Sequence, residues 1–233
     1  TVLRAARLPP LRATPQEREE SREVMEPTDD NRRAFDVRHK STENVVPRQG
    51  LPAAVREALA DLAGQRVLHL LCDDGVQTVE LAALGGLVTG LDESTEAIVL
   101  AHARAPELPW LHGDPHALPA ELQRARFDLV YCGEGSLARL RDLAAWAGGV
   151  AVALRPGGTL VVHDDHPASA CLDRFLHWRD DYFAAPTVGA LVSAVAGAGL
   201  AVRRLDETPS RSPWRRIDAR VPAELLLVAE KPA

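Results

Sequence analysis

At 233 residues the chain has room for one α/β domain with a full core and is short for two. Hydrophobic residues make up 46% and charged residues 26%; the net charge of −6 and a pI near 5.8 argue against a general nucleic-acid binder, whose footprint is a basic face. No run approaches the ~20 apolar residues that cross a bilayer, so neither nucleic acid nor membrane is an expected partner. The three cysteines, Cys72, Cys132 and Cys171, are far apart and lack metal-type spacing, which reads as free thiols in a reducing compartment. With no signal-peptide pattern at the N-terminus, the cytoplasm is the expected location. Abundant Ala, Arg and Leu beside scarce Met, Tyr and Lys suggest a GC-rich bacterial source.

Residues 1–50 read as an N-terminal extension and helical cap, polar and punctuated by Pro9, Pro10, Pro15, Pro27 and Pro47. A short helix at 31–36 would lie over a ligand site; a surface arm or a homodimer contact is the other reading of this stretch. From Leu51 onward the pattern is regular and predicts a second region, residues 51–233. A helix spans 52–62, ended by Gly64, then a strand spans 66–71, a helix 76–84 and a strand 87–91. Residues 94–104 form a helix with Ser94 as N-cap, followed by a short strand at 110–112 and a stronger one at 127–132. A helix over 140–154 stops at Arg155-Pro156-Gly157-Gly158 before a strand at 159–163. An insertion around 164–186 leads to a helix at 187–198, and strands at 200–205 and 224–229 close the pattern. Such alternation predicts a doubly wound, mostly parallel seven-stranded Rossmann-like sheet with helices on both faces.

In open α/β sheets ligands sit beyond the carboxyl ends of the strands, and the unusual residues fall there. Cys72-Asp73-Asp74-Gly75 follows the first strand, where the next helix aims its N–H groups and positive dipole end at a ligand. Asp92, with Glu93 beside it, follows the second strand and could accept both hydroxyls of a ribose. Gly113-Asp114-Pro115 follows the third, where Asp114 could accept from an exocyclic amine. Cys132-Gly133-Glu134 follows the fourth, where acceptor chemistry is expected.

These pieces resemble the class I, Rossmann-like S-adenosylmethionine-dependent methyltransferases of the small-molecule type, over about residues 51–229. The resemblance rests on Val67–Gly75, Leu91-Asp92, Gly113-Asp114 with Leu118-Pro119, Phe127-Asp128-Leu129-Val130, and Leu154-Arg155-Pro156-Gly157-Gly158-Thr159-Leu160. It implies S-adenosyl-L-methionine as cofactor, held by His69, Leu71, Cys72, Asp73, Gly75, Asp92, Glu93, Gly113, Asp114, Pro115 and Cys132. The family's first motif is glycine-rich; here His69 stands at its acid, Leu71 and Asp73 at two glycines, and only Gly75 is kept. A sulfonium cofactor carries an ammonium and no phosphates, so Asp73 and Asp74 suit it and would repel a pyrophosphate. A dinucleotide site would want Gly-x-Gly-x-x-Gly, which is absent.

The segment His163-Asp164-Asp165-His166 invites a metal reading, yet neighbouring residues on an extended backbone point to opposite faces, so no metal is expected. His166 and Glu134 are the candidate catalytic bases, and His69 reads as a structural or ligand-adjacent histidine. Trp178, Tyr182 and Phe183 could line an apolar acceptor pocket or anchor the insertion to the sheet. The expected reaction is methyl transfer to an O, N or C nucleophile of a small-molecule acceptor, with a bacterial secondary metabolite in view. A cyclase or decarboxylase on the same frame, or a non-catalytic binding protein, is the alternative.

Overall fold

A computed structural model of the chain describes residues 50–59, 61–124, 126–133, 135–172, 177–209 and 220–233. The elements in chain order are α1 (Ala53–Ala58), β1 (Arg66–Leu70), α2 (Val76–Ala83), β2 (Leu87–Asp92), α3 (Thr95–Arg104) and β3 (Trp110–His112). Then come β4 (Phe127–Gly133), a 3-10 turn (Leu137–Arg139), α4 (Leu143–Ala153), β5 (Leu154–Asp165), α5 (Pro167–Ala170), α6 (Val188–Gly197), β6 (Ala201–Thr208) and β7 (Glu224–Glu230). The extension expected at 1–50 and its helix at 31–36 lie outside the described residues, apart from Gly50.

Among the described residues seven strands run in the order β3-β2-β1-β4-β5-β7-β6. β1 to β5 pair in parallel, while β7 is antiparallel to both β5 and β6. Strand order reverses between β1 and β4, so the ligand crevice of such a sheet lies at their carboxyl ends.

Side chains of the strands alternate between two faces. Leu68, Leu70, Val130, Val162 and Leu227 pack with Trp146 and Val150 of α4 and Leu191 and Val195 of α6. On the opposite face Val67, Leu129, Tyr131, Val161 and Leu226 pack with Val55 of α1 and Leu81 of α2. Each fully buried Leu or Val contributes about 1.5–3 kcal/mol, enough to dictate which way each strand faces. Side-chain caps fix four helix starts: Ser94 accepts from the Ala97 N–H, Asp142 from Ala145, His166 from Ala168 and Thr187 from Ala190.

Several element boundaries differ from the sequence pattern, two of them for visible reasons. α1 stops at Ala58, because the chain turns extended at Leu59 to bury both Leu59 and Leu62. β5 starts at Leu154 rather than Thr159, since Leu154 pairs with Phe127 and the Pro156-Gly157-Gly158 stretch forms an irregularity within the strand. The Lys231 ammonium donates to the carbonyls of Ala151 and Leu154, at 2.7 and 2.8 Å, covering the exposed end of α4.

Candidate functional site

The turn after β1 has the backbone of a glycine-rich loop with a single glycine in it. Leu71, Asp73 and Gly75 all take left-handed backbone, with φ of 56°, 54° and 81°. That conformation costs a non-glycine residue about 1–2 kcal/mol, so other contacts must hold the loop. Leu71 is buried in the core, Cys72 N–H donates to the Leu91 carbonyl at 3.0 Å, and Asp73 N–H donates to Asp92 Oδ2 at 2.9 Å. Gly75 is required twice over, because a Cβ there would also meet the Trp110 ring at 2.6 Å. Asp74 is drawn to α3, where Arg104 binds its carbonyl and its carboxylate, both at 2.9 Å.

Asp92 ends β2 with no exposed surface, and four donors converge on its carboxylate. Oδ1 accepts from Ser94 N–H at 2.9 Å and an Arg139 terminal nitrogen at 2.7 Å; Oδ2 accepts from Asp73 N–H at 2.9 Å and the other Arg139 nitrogen at 3.2 Å. Arg139 also reaches Glu93 Oε1 with its Nε at 3.2 Å. Burial opposes the guanidinium's charge, but Asp92 and Glu93 outweigh it and raise its pKa. Arg139 is the site residue that the sequence pattern missed.

Beyond β3, Gly113 N–H donates to the Asp92 carbonyl at 2.9 Å, tying the third strand end to the second. Asp114 Oδ1 accepts from the His116 N–H at 2.8 Å and faces its Nδ1 at 2.9 Å, while the carboxylate stays 43% exposed. Pro115 is buried between them.

His69 is buried in β1, its Nδ1 2.8 Å from Thr78 Oγ1 and its ring 5.0 Å from that of Tyr131. Burial pushes its pKa down to about 3 despite the opposing pull of Asp92, so the ring is neutral at physiological pH. Tyr131 donates to Gln77 Oε1 at 2.8 Å, and with Thr78 this forms a polar layer beneath the loop. The signal for it in the sequence was the polar pair Gln77-Thr78 on the first turn of α2. Cys72 and Cys132 are fully enclosed, and burial raises both thiol pKa values, which leaves them poor nucleophiles.

At the end of β4, Glu134 lies outside the described residues. The loop that follows is clamped by Asp164 of β5, which accepts from Gly135 N–H at 2.9 Å, Ser136 Oγ at 3.0 Å, Leu137 N–H at 2.7 Å and Asp165 N–H at 2.7 Å. Burial raises the Asp164 pKa, partly offset by those donors. His166 is buried as the N-cap of α5: Nδ1 accepts from Ala168 N–H at 3.1 Å and Nε2 lies 2.6 Å from Glu207 Oε1 of β6. Both ring nitrogens are therefore engaged. Among the described residues no group of three or more His, Cys, Asp or Glu side chains is placed to hold a metal. In the insertion Trp178 and Phe183 are 60% and 82% exposed, with the Tyr182 and Phe183 rings 5.3 Å apart, so they stand off the sheet.

Residues 67–158, from β1 to the start of β5, match a protein family described as a methyltransferase domain. An uncharacterised methyltransferase of Synechocystis is 36% identical over 117 residues, which are 48% of this chain and 53% of that protein. A ubiquinone biosynthesis O-methyltransferase of Albidiferax ferrireducens is 34% identical over 105 residues, 43% of this chain and 41% of that protein. The chain thus spans about half the length of these curated relatives. Among solved structures, an S-adenosylmethionine-dependent methyltransferase of Mesorhizobium loti superposes with a TM-score of 0.64 at 24% identity, covering 76% of this chain and 95% of that one.

Proposed function

We propose that this chain is a class I S-adenosylmethionine-dependent methyltransferase that transfers a methyl group to an O, N or C nucleophile of a small molecule. The observation that carries the reading is the row of carboxylates at three successive strand ends. Asp73 and Asp74 follow β1, Asp92 ends β2 with Glu93 after it, and Asp114 follows β3; Arg104 and Arg139 pair with three of these five, which leaves the row net negative. An anionic rim of this kind suits a ligand with a sulfonium and an ammonium and opposes one with phosphates. The residues thus fit S-adenosylmethionine, with 71–75 along its methionine part, Asp92 at the ribose hydroxyls and Asp114 at the adenine amine.

The bound cofactor would supply a methyl group already activated by positive sulfur. What remains for the protein is alignment and exclusion of water, which are worth several kcal/mol when a nucleophile is held in line. Neutral His69 keeps a second positive charge out of the loop. The Asp164 clamp fixes the loop after β4, beside which the acceptor would enter. If the acceptor must lose a proton, Glu134 is the proposed base; His166, the other candidate, has Nδ1 taken by the Ala168 N–H and Nε2 by Glu207, which gives it a capping role instead. Trp178, Tyr182 and Phe183 are proposed to close over an apolar acceptor.

Turnover of candidate acceptors with formation of S-adenosylhomocysteine tests this reading, together with calorimetry of that product on wild type and Asp92→Asn. Tight binding lost in the variant supports it. Acceptor conversion without S-adenosylhomocysteine would instead assign a non-methylating reaction, and no heat with the wild type would assign a non-catalytic role.

A further inference from the structure

The Asp92 carboxylate already has as many donors as it can accept. An ionised carboxylate offers about four lone-pair positions, and Ser94, Asp73 and the two terminal nitrogens of Arg139 supply four hydrogen bonds, two to each oxygen. The two backbone donors belong to the fold and cannot leave without unmaking the loop. The guanidinium can leave, because it is carried on the short turn after β4 and its Nε already rests on Glu93 Oε1. A ribose offers two hydroxyl donors on adjacent carbons, a spacing that meets both oxygens of one carboxylate as the two Arg139 nitrogens do.

Accepting the proposed role of Asp92 as the ribose acid, we infer that Arg139 is an internal occupant of the ribose subsite and sets the affinity for the cofactor by competing with it. Entry of the ligand exchanges two guanidinium hydrogen bonds for two hydroxyl ones. Glu93, at 3.2 Å from Arg139, receives the displaced charge, so the exchange does not strand a cation in a buried place. The Asp164 clamp on residues 135–137 keeps the base of Arg139 at one position, which makes the swing a side-chain event. Apparent affinity is then the intrinsic affinity reduced by the fraction of molecules in which Asp92 is released.

Calorimetry with three probes separates the possibilities. The probes are S-adenosylhomocysteine, adenosine and 2′,3′-dideoxyadenosine, titrated into wild type, Arg139→Ala and Arg139→Lys. Arg139→Ala should bind S-adenosylhomocysteine and adenosine about tenfold more tightly than wild type, while 2′,3′-dideoxyadenosine, with no hydroxyls to exchange, binds both equally. Arg139→Lys, which keeps a charge but cannot span both oxygens, should move in the same direction by a smaller factor, and it carries the test if the alanine variant does not fold. Equal or weaker binding of S-adenosylhomocysteine by these variants, with the wild type binding normally, overturns the role of Arg139 and leaves the cofactor site standing. A gain of the same size for 2′,3′-dideoxyadenosine overturns it too, since the effect would not pass through the hydroxyls. No binding of S-adenosylhomocysteine by any of the three proteins overturns the cofactor site itself.

Discussion

Replacing the two non-glycine residues of the β1 loop by glycine should move stability in opposite directions. Leu71 and Asp73 share nearly the same left-handed backbone, at φ 56° and 54°, so glycine relieves similar strain at each. That relief is about 1–2 kcal/mol, reduced by the ~0.5–1 kcal/mol that glycine's extra freedom gives the unfolded chain. At Asp73 the N–H that binds Asp92 is retained, so Asp73→Gly should gain about 0.5–1 kcal/mol, a rise of roughly 1–4 °C for a domain of this size. At Leu71 the side chain is 2% exposed within the core cluster. Losing such a Leu costs about 2–5 kcal/mol, which exceeds the relief and leaves a net loss of roughly 2–4 kcal/mol.

Urea denaturation of wild type and both variants, with thermal melts alongside, measures this directly. The informative quantity is the pair of signs. If Asp73→Gly is destabilised by more than about 1 kcal/mol, its carboxylate rather than its backbone holds the loop, and the strain argument fails. A neutral Leu71→Gly would fail it as well, by showing that the buried side chain contributes no more than its strain removes.

Other consequences follow from the buried ionisable groups and the insertion. His69 has a folded pKa of about 3 against an ordinary 6.5, so between those values the unfolded chain takes up a proton that the folded one refuses. Stability is therefore lost as pH falls below about 6.5, with a slope near 1.4 kcal/mol per unit from this group alone, and urea titrations at pH 4–7 should show His69→Gln with a shallower slope than wild type. Asp164 is raised, so its contribution runs the other way and declines as pH rises through its folded pKa. Asp164→Ala leaves three backbone N–H groups and the Ser136 hydroxyl without their acceptor and should cost about 3 kcal/mol, read by urea denaturation. Phe183→Ser should change stability by less than about 0.5 kcal/mol because the ring is exposed, yet raise the KM for an apolar acceptor while leaving that for the cofactor alone.

How far the sequence announces this molecule depends on the range of the interaction involved. Strands β1, β2 and β4 are short apolar runs covered on both faces, and even the three-residue β3 is bracketed by Pro109 and Gly113, so their positions follow from local pattern. Asp92 was legible for the same reason, as an acid where an apolar strand ends. The shape of the β1 loop was not, because Leu in a left-handed conformation is what local preference argues against; its burial and the Asp73–Asp92 contact override that preference. His166 carried a readable signal in Pro167, which favours the first position of a helix and marks the residue before it as a cap. No local pattern links Arg139 to Asp92, 47 residues away, or Asp164 to the Gly135–Leu137 turn, 27–29 residues away. Both pairings exist because β4 lies between β1 and β5, with β2 beyond β1, which brings the ends of strands far apart in the chain to one edge. A parallel sheet therefore displays the residues of its site as separate strand-end signals. The charge pairing among them, Arg139 on Asp92 included, is a property of strand order and is fixed only when the sheet has formed.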